Sequence, residues 1–329
     1  MKISTYRVLL GLAIALLGIT FGGCTKEDES DCFETLELAF NFNKKGTECF
    51  DSEVSSLAVF VFDEQGVFVG RWDENDNSKF TSDYTMRLPL PAGEYSCIAW
   101  GGLGGQHFNV GCGTTRALTS PVVGQTTMND LLLRLKCQTA TLYGEEKEVL
   151  DYQPASLFYG SVRNIELVAG AGQKKAGISL QKNSTQIRLT LIGLPLPTRN
   201  PFTQLDLYFE SSNGGYAFDN SIDNNNSCIT HLAQGTTVDA NNRMYTNLYT
   251  HRMLKSDPHR LMIRDNRDNS TYFEADLMKD YILKNPQYTT QAAIDQEDLF
   301  DIVLEFDPYV GVSVTVNGWD VTGNEIIIQ

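Results

Sequence analysis

Cys24 is the residue with the most definite chemistry. It follows Phe21-Gly22-Gly23 at the end of an apolar run that starts at Val8, and Lys2 and Arg7 give that run a basic opening. The run is about 14 residues long, short of the roughly 20 a spanning helix needs, so residues 1–23 read as a cleavable signal peptide. A cysteine behind two glycines points to one reaction. Its thiol takes a diacylglycerol, cleavage frees its amino group, and acylated Cys24 becomes the N-terminus. This is the pattern of a lipoprotein signal peptide, with Phe21 where Leu, Val or Ile is usual. Each buried methylene contributes about 0.8 kcal/mol and one chain binds a membrane only marginally, so two or three chains on one residue make attachment lasting. Thr25-Lys-Glu-Asp-Glu-Ser-Asp31 is too polar to pack, and residues 24–34 read as a flexible tether.

Other candidates carry less. Cys32, Cys49, Cys97, Cys112, Cys137 and Cys228 are open to oxidation in an exported chain, and all but Cys228 lie in the first half, so at least one is expected to stay unpaired. None forms Cys-x-x-Cys, which argues against a zinc ribbon or a thioredoxin-like site. His107, His231, His251 and His259 are scattered without metal-binding spacing, and neither Gly-x-Ser-x-Gly nor His-Glu-x-x-His occurs. Gly101-Gly-Leu-Gly-Gly105 follows a strand as a phosphate loop would. It lacks Gly-Lys-Ser/Thr and a following amphipathic helix, so these read as turn glycines. Asp73-x-Asn75-x-Asn77 opens like a calcium loop and then departs from it, with Ser78 where glycine is needed and Tyr84 where a bidentate Glu is needed. Trp72, Trp100 and Trp319 are able to stack on sugars, but core packing is the expected fate of each. With no acid–base pair or metal set, no enzyme activity, cofactor or small-molecule substrate is expected.

The segments between these residues alternate with period two. Leu36, Leu38, Phe40 and Phe42 face one way over residues 35–42, and Glu37 and Asn41 the other. Residues 57–62 are apolar throughout and lead through Asp63-Glu-Gln-Gly66 into a second strand from Val67, a hairpin signal. Strands over 85–90 and 95–100 flank the turn Pro91-Ala-Gly93, and 131–135, 157–159 and 162–167 follow. Composition shifts to Ala, Gly, Gln and Lys over 168–177, which marks the crossing between a domain of residues 35–172 and one of 173–329. The second domain repeats the pattern at 178–180, 186–192, 203–210, 261–263, 272–275, 302–306 and 310–316. Its one short helix carries Leu277, Met278, Tyr281 and Ile282 on a single face. Many short strands without a βαβ rhythm predict an all-β chain of two tandem β-sandwiches.

The formal charge is −15, and such a field repels phosphate backbones, so no nucleic-acid partner is expected. No stretch after the leader is apolar for long enough to span a membrane.

Several motifs fall in a recognisable order: the cysteine after the leader, Phe60-Val-Phe-Asp-Glu-Gln-Gly66, Leu88-Pro-Leu-Pro-Ala-Gly-Glu-Tyr95, Ile98-Ala-Trp-Gly-Gly102, Leu157-Phe-Tyr-Gly160, Leu191-Ile-Gly-Leu-Pro195 and Val316-Asn-Gly-Trp319. Together they resemble the fimbrial anchor-subunit lipoproteins of Bacteroidales, the FimB-like family of fimbrillin-associated anchors, over nearly the whole chain. The Lys-then-acidic run after Cys24 is similar to the signal that sends lipoproteins of such bacteria to the outer face of the outer membrane. The resemblance implies two transthyretin-like β-sandwich domains, no enzymatic activity and no cofactor. It also implies fimbrial pilin subunits and the outer membrane, reached through the acyl chains on Cys24, as partners. Fibres of this kind grow by strand donation, in which an extended segment of one subunit fills the groove of a neighbour. Stalk pilins of the superfamily are cut after an arginine near the N-terminus; here none occurs between Cys24 and Arg71, so the first strand is expected to stay in place. The candidate donor strand is Asn324, Glu325, Ile326, Ile327, Ile328 and Gln329, with Ile326 and Ile328 on one face; the alternative is a last edge strand of the second sandwich. A stalk or tip subunit and a surface glycan-binding lipoprotein are the rival functions.

Overall fold

Leu57–Asp63 is apolar on both sides because each side faces a different core. Leu57, Val59 and Val61 join a cluster with Leu36, Leu38 and Phe40, whereas Ala58, Phe60 and Phe62 join a second with Trp100, Leu133 and Tyr159. Successive strand residues point to opposite faces, so this strand belongs to a sheet covered on both. The computed structural model describes residues 34–194, 204–223, 228–309 and 311–321. In it the covered sheet has the order Gln181–Lys182, Phe158–Leu167, Gly93–Gly101, Leu57–Asp63, Phe68–Glu74, antiparallel throughout. Phe158–Leu167 joins the two short strands expected there into one, with a register shift between Val162 and Ile165 where Asn164 takes φ +57°.

A front sheet covers one face. Glu34–Asn41 lies at its centre, antiparallel to Thr85–Leu90 and parallel to Gln173–Ser179. The front and central sheets make the first sandwich. A rear sheet of Phe108–Gly111, Leu132–Leu135 and Gly215–Ala217 covers the other face. The second sandwich packs a sheet ordered Gln138–Leu142, Glu145–Leu150, Ile229–Leu232, Leu205–Ser211, His259–Asp265, Thr271–Asp276 on one ordered Gln234–Val238, Met244–His251, Ser184–Ile192, Leu299–Asp307, Gly311–Val316, Trp319–Asp320. Its core includes Ile187, Leu189, Phe209, Leu248, Phe300 and Leu304. The expected helix is one turn, Leu277–Asp280, capped by the Asp276 carboxylate on the amides of Met278 and Lys279, and a 3-10 turn, Ile282–Lys284, follows. Leu277, Met278, Tyr281 and Ile282 all enter the second core. The fold is that of two tandem transthyretin-like β-sandwiches with an added rear layer.

The division expected between residues 172 and 173 falls inside the first sandwich. Gln173–Ser179 pairs with Glu34–Asn41, so the crossing comes one strand later, and the Ala/Gly/Lys-rich stretch is a turn plus an exposed edge strand. The two sandwiches also trade strands. The first half gives the hairpin Gln138–Leu150 to a sheet of the second sandwich, through Glu145–Leu150 beside Ile229–Leu232, and the second half gives Gly215–Ala217 to the rear sheet.

Strand directions order the molecule lengthwise. Glu34, Leu90, Gly93, Leu167 and Gln173 lie at one end of the first sandwich through the registers Glu34↔Leu90, Leu167↔Gly93 and Thr35↔Gln173. Asn41 lies at the other end, where Leu180 N donates to Asn41 O and Lys45 meets Glu297. Ser184 and Leu299 start at that joint and run outward, and Trp319–Asp320 runs the same way.

Candidate functional site

The chemistry expected of the chain ends falls on residues beyond those described, Cys24 with 25–33 of the tether on one side and Asn324–Gln329 on the other; Glu34, expected as the last tether residue, instead begins the first strand. What the structure does contain is the attachment of each end to the body.

Glu34, the first described residue, is buried, and its carboxylate accepts from Gly170 N and Gly172 N at 2.6 Å each. Thr35 N donates to Gly172 O at 2.9 Å. Leu36, Leu38, Phe40 and Phe42 then sink into the first core. Fully burying such a side chain contributes about 1.5–3 kcal/mol, so the four hold the strand against removal. On the opposite face Glu37 accepts from Lys175 and Arg87, one on each neighbouring strand, at 3.0 and 3.2 Å. Lys175, with Arg87 second, holds its carboxyl below the ordinary carboxylate range.

At the other end Gly311–Val316 is flanked outside by Trp319–Asp320, and Val321 N donates to Val314 O at 2.9 Å. The chain passes Val321 heading away from the first sandwich. Tyr309, in the turn at that far end, is 95% exposed. Trp319 is 48% exposed, against the expected core packing, because a two-residue edge strand has no layer above it. Trp100 is fully buried edge-on to Phe60, and Trp72 is half-buried over Gly70, so the three tryptophans form no common surface.

Between these ends lies a joint that the sequence did not reveal. Arg134 of the rear sheet and Asp223 of the second half form a buried ion pair, Nε to Oδ2 at 2.5 Å. Tyr216, also in the rear sheet, donates to Asn183 O at 3.1 Å and accepts from Asn213 Nδ2 and Arg252 N at 3.0 and 3.1 Å. Lys44 and Lys182 each pair with both Glu53 and Asp298, four charges that cancel across the crossing. The adjoining cavity of about 310 Å³ is lined by these paired groups.

His231, His251 and His259 are buried beside this joint. His251 stacks on Phe108 and meets Tyr216 edge-on, at 6.0 and 5.1 Å between ring centres. Desolvation pushes His231 and His251 down to about 3 and lowers His259 as well, so all three are neutral packing groups. His107 instead stacks on Tyr152, its Nδ1 accepting from Ala155 N. Among the described residues no group of His, Cys, Asp and Glu is arranged to hold a metal ion, and no helix is long and apolar enough to cross a membrane. Cys49, Cys97, Cys112, Cys137 and Cys228 are free thiols; burial pushes Cys97 up to about 12 and Cys137 to about 11, far from reactive thiolates. In the glycine run, Gly102 takes φ +89° with Ser156 O where a Cβ would stand, which is turn geometry. Asp73 is taken by Arg71, and Asp76 caps the Asn77–Lys79 turn.

A doubly covered sheet and an interlocked pair of sandwiches form a scaffold for attachment. The family model of the fimbrillin-A associated anchor proteins Mfa1 and Mfa2 matches residues 29–325. The chain belongs to this family. Membership gives it a fimbrial accessory or anchor role at the cell surface, in contact with fimbrial subunits, within a family of structural proteins rather than enzymes. The anchor-family chain shares its fold with the fimbrial anchor protein Mfa2 from Porphyromonas gingivalis, at 20% identity and TM-score 0.68 over 89% of this chain and 100% of that one. A candidate polysaccharide-binding protein from Bacteroides thetaiotaomicron VPI-5482 is similar at 21% identity and TM-score 0.73, over 89% and 99% of the two chains. A candidate adhesin from Bacteroides ovatus is similar at 20% identity and TM-score 0.71, over 88% and 95%. No curated protein matches the anchor-family chain.

Proposed function

We propose that this chain is an outer-membrane lipoprotein, acylated at Cys24 and exposed at the cell surface, which holds a fimbria as its basal subunit. The C-terminal residues Asn324–Gln329 enter the groove of a neighbouring pilin as a donated strand, adding backbone hydrogen bonds and seating Ile326 and Ile328 in its pockets. The chain accepts no strand in return at its first sheet. Glu34–Asn41 already fills that place and no arginine lies between Cys24 and Arg71, so the subunit ends a fibre.

The observation that supports this reading best is the direction of the first and last described strands. The strand following the tether enters at one pole, and the chain passes Val321 toward the other. Pull between membrane and fibre then crosses the joint, where exchanged strands and the Arg134–Asp223 pair oppose separation. Deleting 324–329 tests the donor role. The shortened protein should fold and stay membrane-bound while fimbriae are shed into the medium; fibres that remain on the cells would overturn it. Cys24→Ala should release the protein, with any fibre it holds, from the membrane fraction.

A further inference from the structure

Five large hydrophobic side chains are exposed among the described residues, and three of them, Val122, Val123 and Val168, gather at the pole where the tether enters. The registers fix this. Leu167 pairs with Gly93, Asp63 with Tyr95 and Phe62 with Phe68, so the turns after Leu167, before Gly93 and after Asp63 share one end with Glu34. The 122–127 loop is fastened to that same end through Gly124 N to Phe68 O, Phe68 N to Thr126 O and Met128 N to Gly66 O, at 3.0, 2.8 and 2.7 Å. Val168 stands 56% exposed on a turn closed by Ala171 N to Val168 O and clamped to Glu34 through Gly170 and Gly172. Val123 is 63% exposed. Residues 91–93 and 168–172 carry no charge, in a chain of formal charge −15. Exposed charges at this end include Glu64 in the neighbouring turn, Asp130 bonded to Thr127 of the 122–127 loop, Glu94 and Glu166 paired behind the tip, and Lys174.

We propose that this pole rests on the lipid surface, with the valines at the headgroup boundary, so that the protein stands with its long axis along the pull. The proposal relies on the reading of Cys24 as acylated. Nine residues lie between Cys24 and Glu34, and even fully extended these ten Cα-to-Cα steps reach about 35 Å, so the tethered pole is never far from the bilayer. Tethering supplies an effective concentration in the millimolar range, so a contact too weak to recruit a free protein still sets the orientation of an anchored one. Rigid turns strengthen the effect, because the valines lose little freedom on contact.

Adding one tryptophan at a time tests this. The lipidated protein and its variants V168W, V123W and Y309W are reconstituted into phosphatidylethanolamine vesicles containing a phosphatidylcholine brominated near the top of its acyl chains. The sites are exposed, so the variants fold. If the pole rests on lipid, the signal added at 168 and at 123 drops by about half or more, since side chains at an interface sit about 5–10 Å into the boundary, while the signal added at 309 is untouched. Protein that floats with the vesicles but shows equal quenching at all three sites overturns the docking and leaves the lipid anchor standing. Protein that does not float overturns the anchor, and the docking with it.

Discussion

Arg134 and Asp223 are 89 positions apart in sequence, yet they form a pair with side chains 1% and 3% exposed, joining the rear sheet to the second half of the chain. Arg134 also donates to Thr115 O. A charge so deeply buried is tolerable only while its partner remains. Arg134→Met should therefore cost about 3–5 kcal/mol, read as a lower denaturation midpoint, because Asp223 loses this buried opposite charge. Pairing it with Asp223→Leu should recover much of the loss, since an apolar pair of similar volume often replaces a buried ion pair at little cost. A double variant as unstable as the single would show that the pair acts through something other than charge compensation.

Acid should loosen the joint through its histidines. His231 and His251 titrate near the ordinary 6.5 when unfolded but are pushed down to about 3 in the fold by desolvation. The folded form therefore resists a proton that the unfolded form accepts. Stability is full above pH 6.5 and falls as the pH drops from there toward 3, each histidine adding a slope of about 1.4 kcal/mol per pH unit. His251 faces His231 and Arg116, which add to its resistance to charge, and the Asn183 backbone, which opposes it. His251→Gln should flatten the acid limb of a melting-temperature profile without changing the plateau slope near neutrality.

Glu37 gives a smaller effect lower on the scale. Lys175 and Arg87 hold its carboxyl below the ordinary 4.5, so its contribution is present above that pH and is lost as the pH falls through the folded value. Lys175→Met should move its titration upward, as followed by carboxyl-carbon NMR. An unmoved titration would leave Arg87 as the controlling partner.

Gly102→Ala should be severe. A Cβ there would lie 1.9 Å from Ser156 O, and the backbone sits at φ +89°, a conformation that L residues rarely adopt. The expected loss is about 3 kcal/mol or more, measurable by urea denaturation. Gly124→Ala keeps the positive φ without the clash, since nothing lies within 4 Å, and should cost less.

The sequence alone determined which segments are strands wherever the apolar pattern is local. Leu36 to Phe42, residues 57–62 and Ile187 to Leu191 announce their faces by composition. It also determined the all-β class, because no segment carries the long amphipathic period a βαβ unit needs. Tertiary structure decided the rest. Gln138–Leu142 and Met244–His251 are rich in Thr, Gln, Asn and Tyr, so no apolar period marked them, and Met244–His251 gains its Ser184–Ile192 partner from distant chain. The Glu145–Leu150 strand is paired on one side by Ile229–Leu232 from the opposite half, and the Arg134–Asp223 pair has no motif because neither residue is near the other until the sandwiches interlock. The end of the first sandwich at which Glu34 starts its strand follows from strand direction, and only the folded sheets set that.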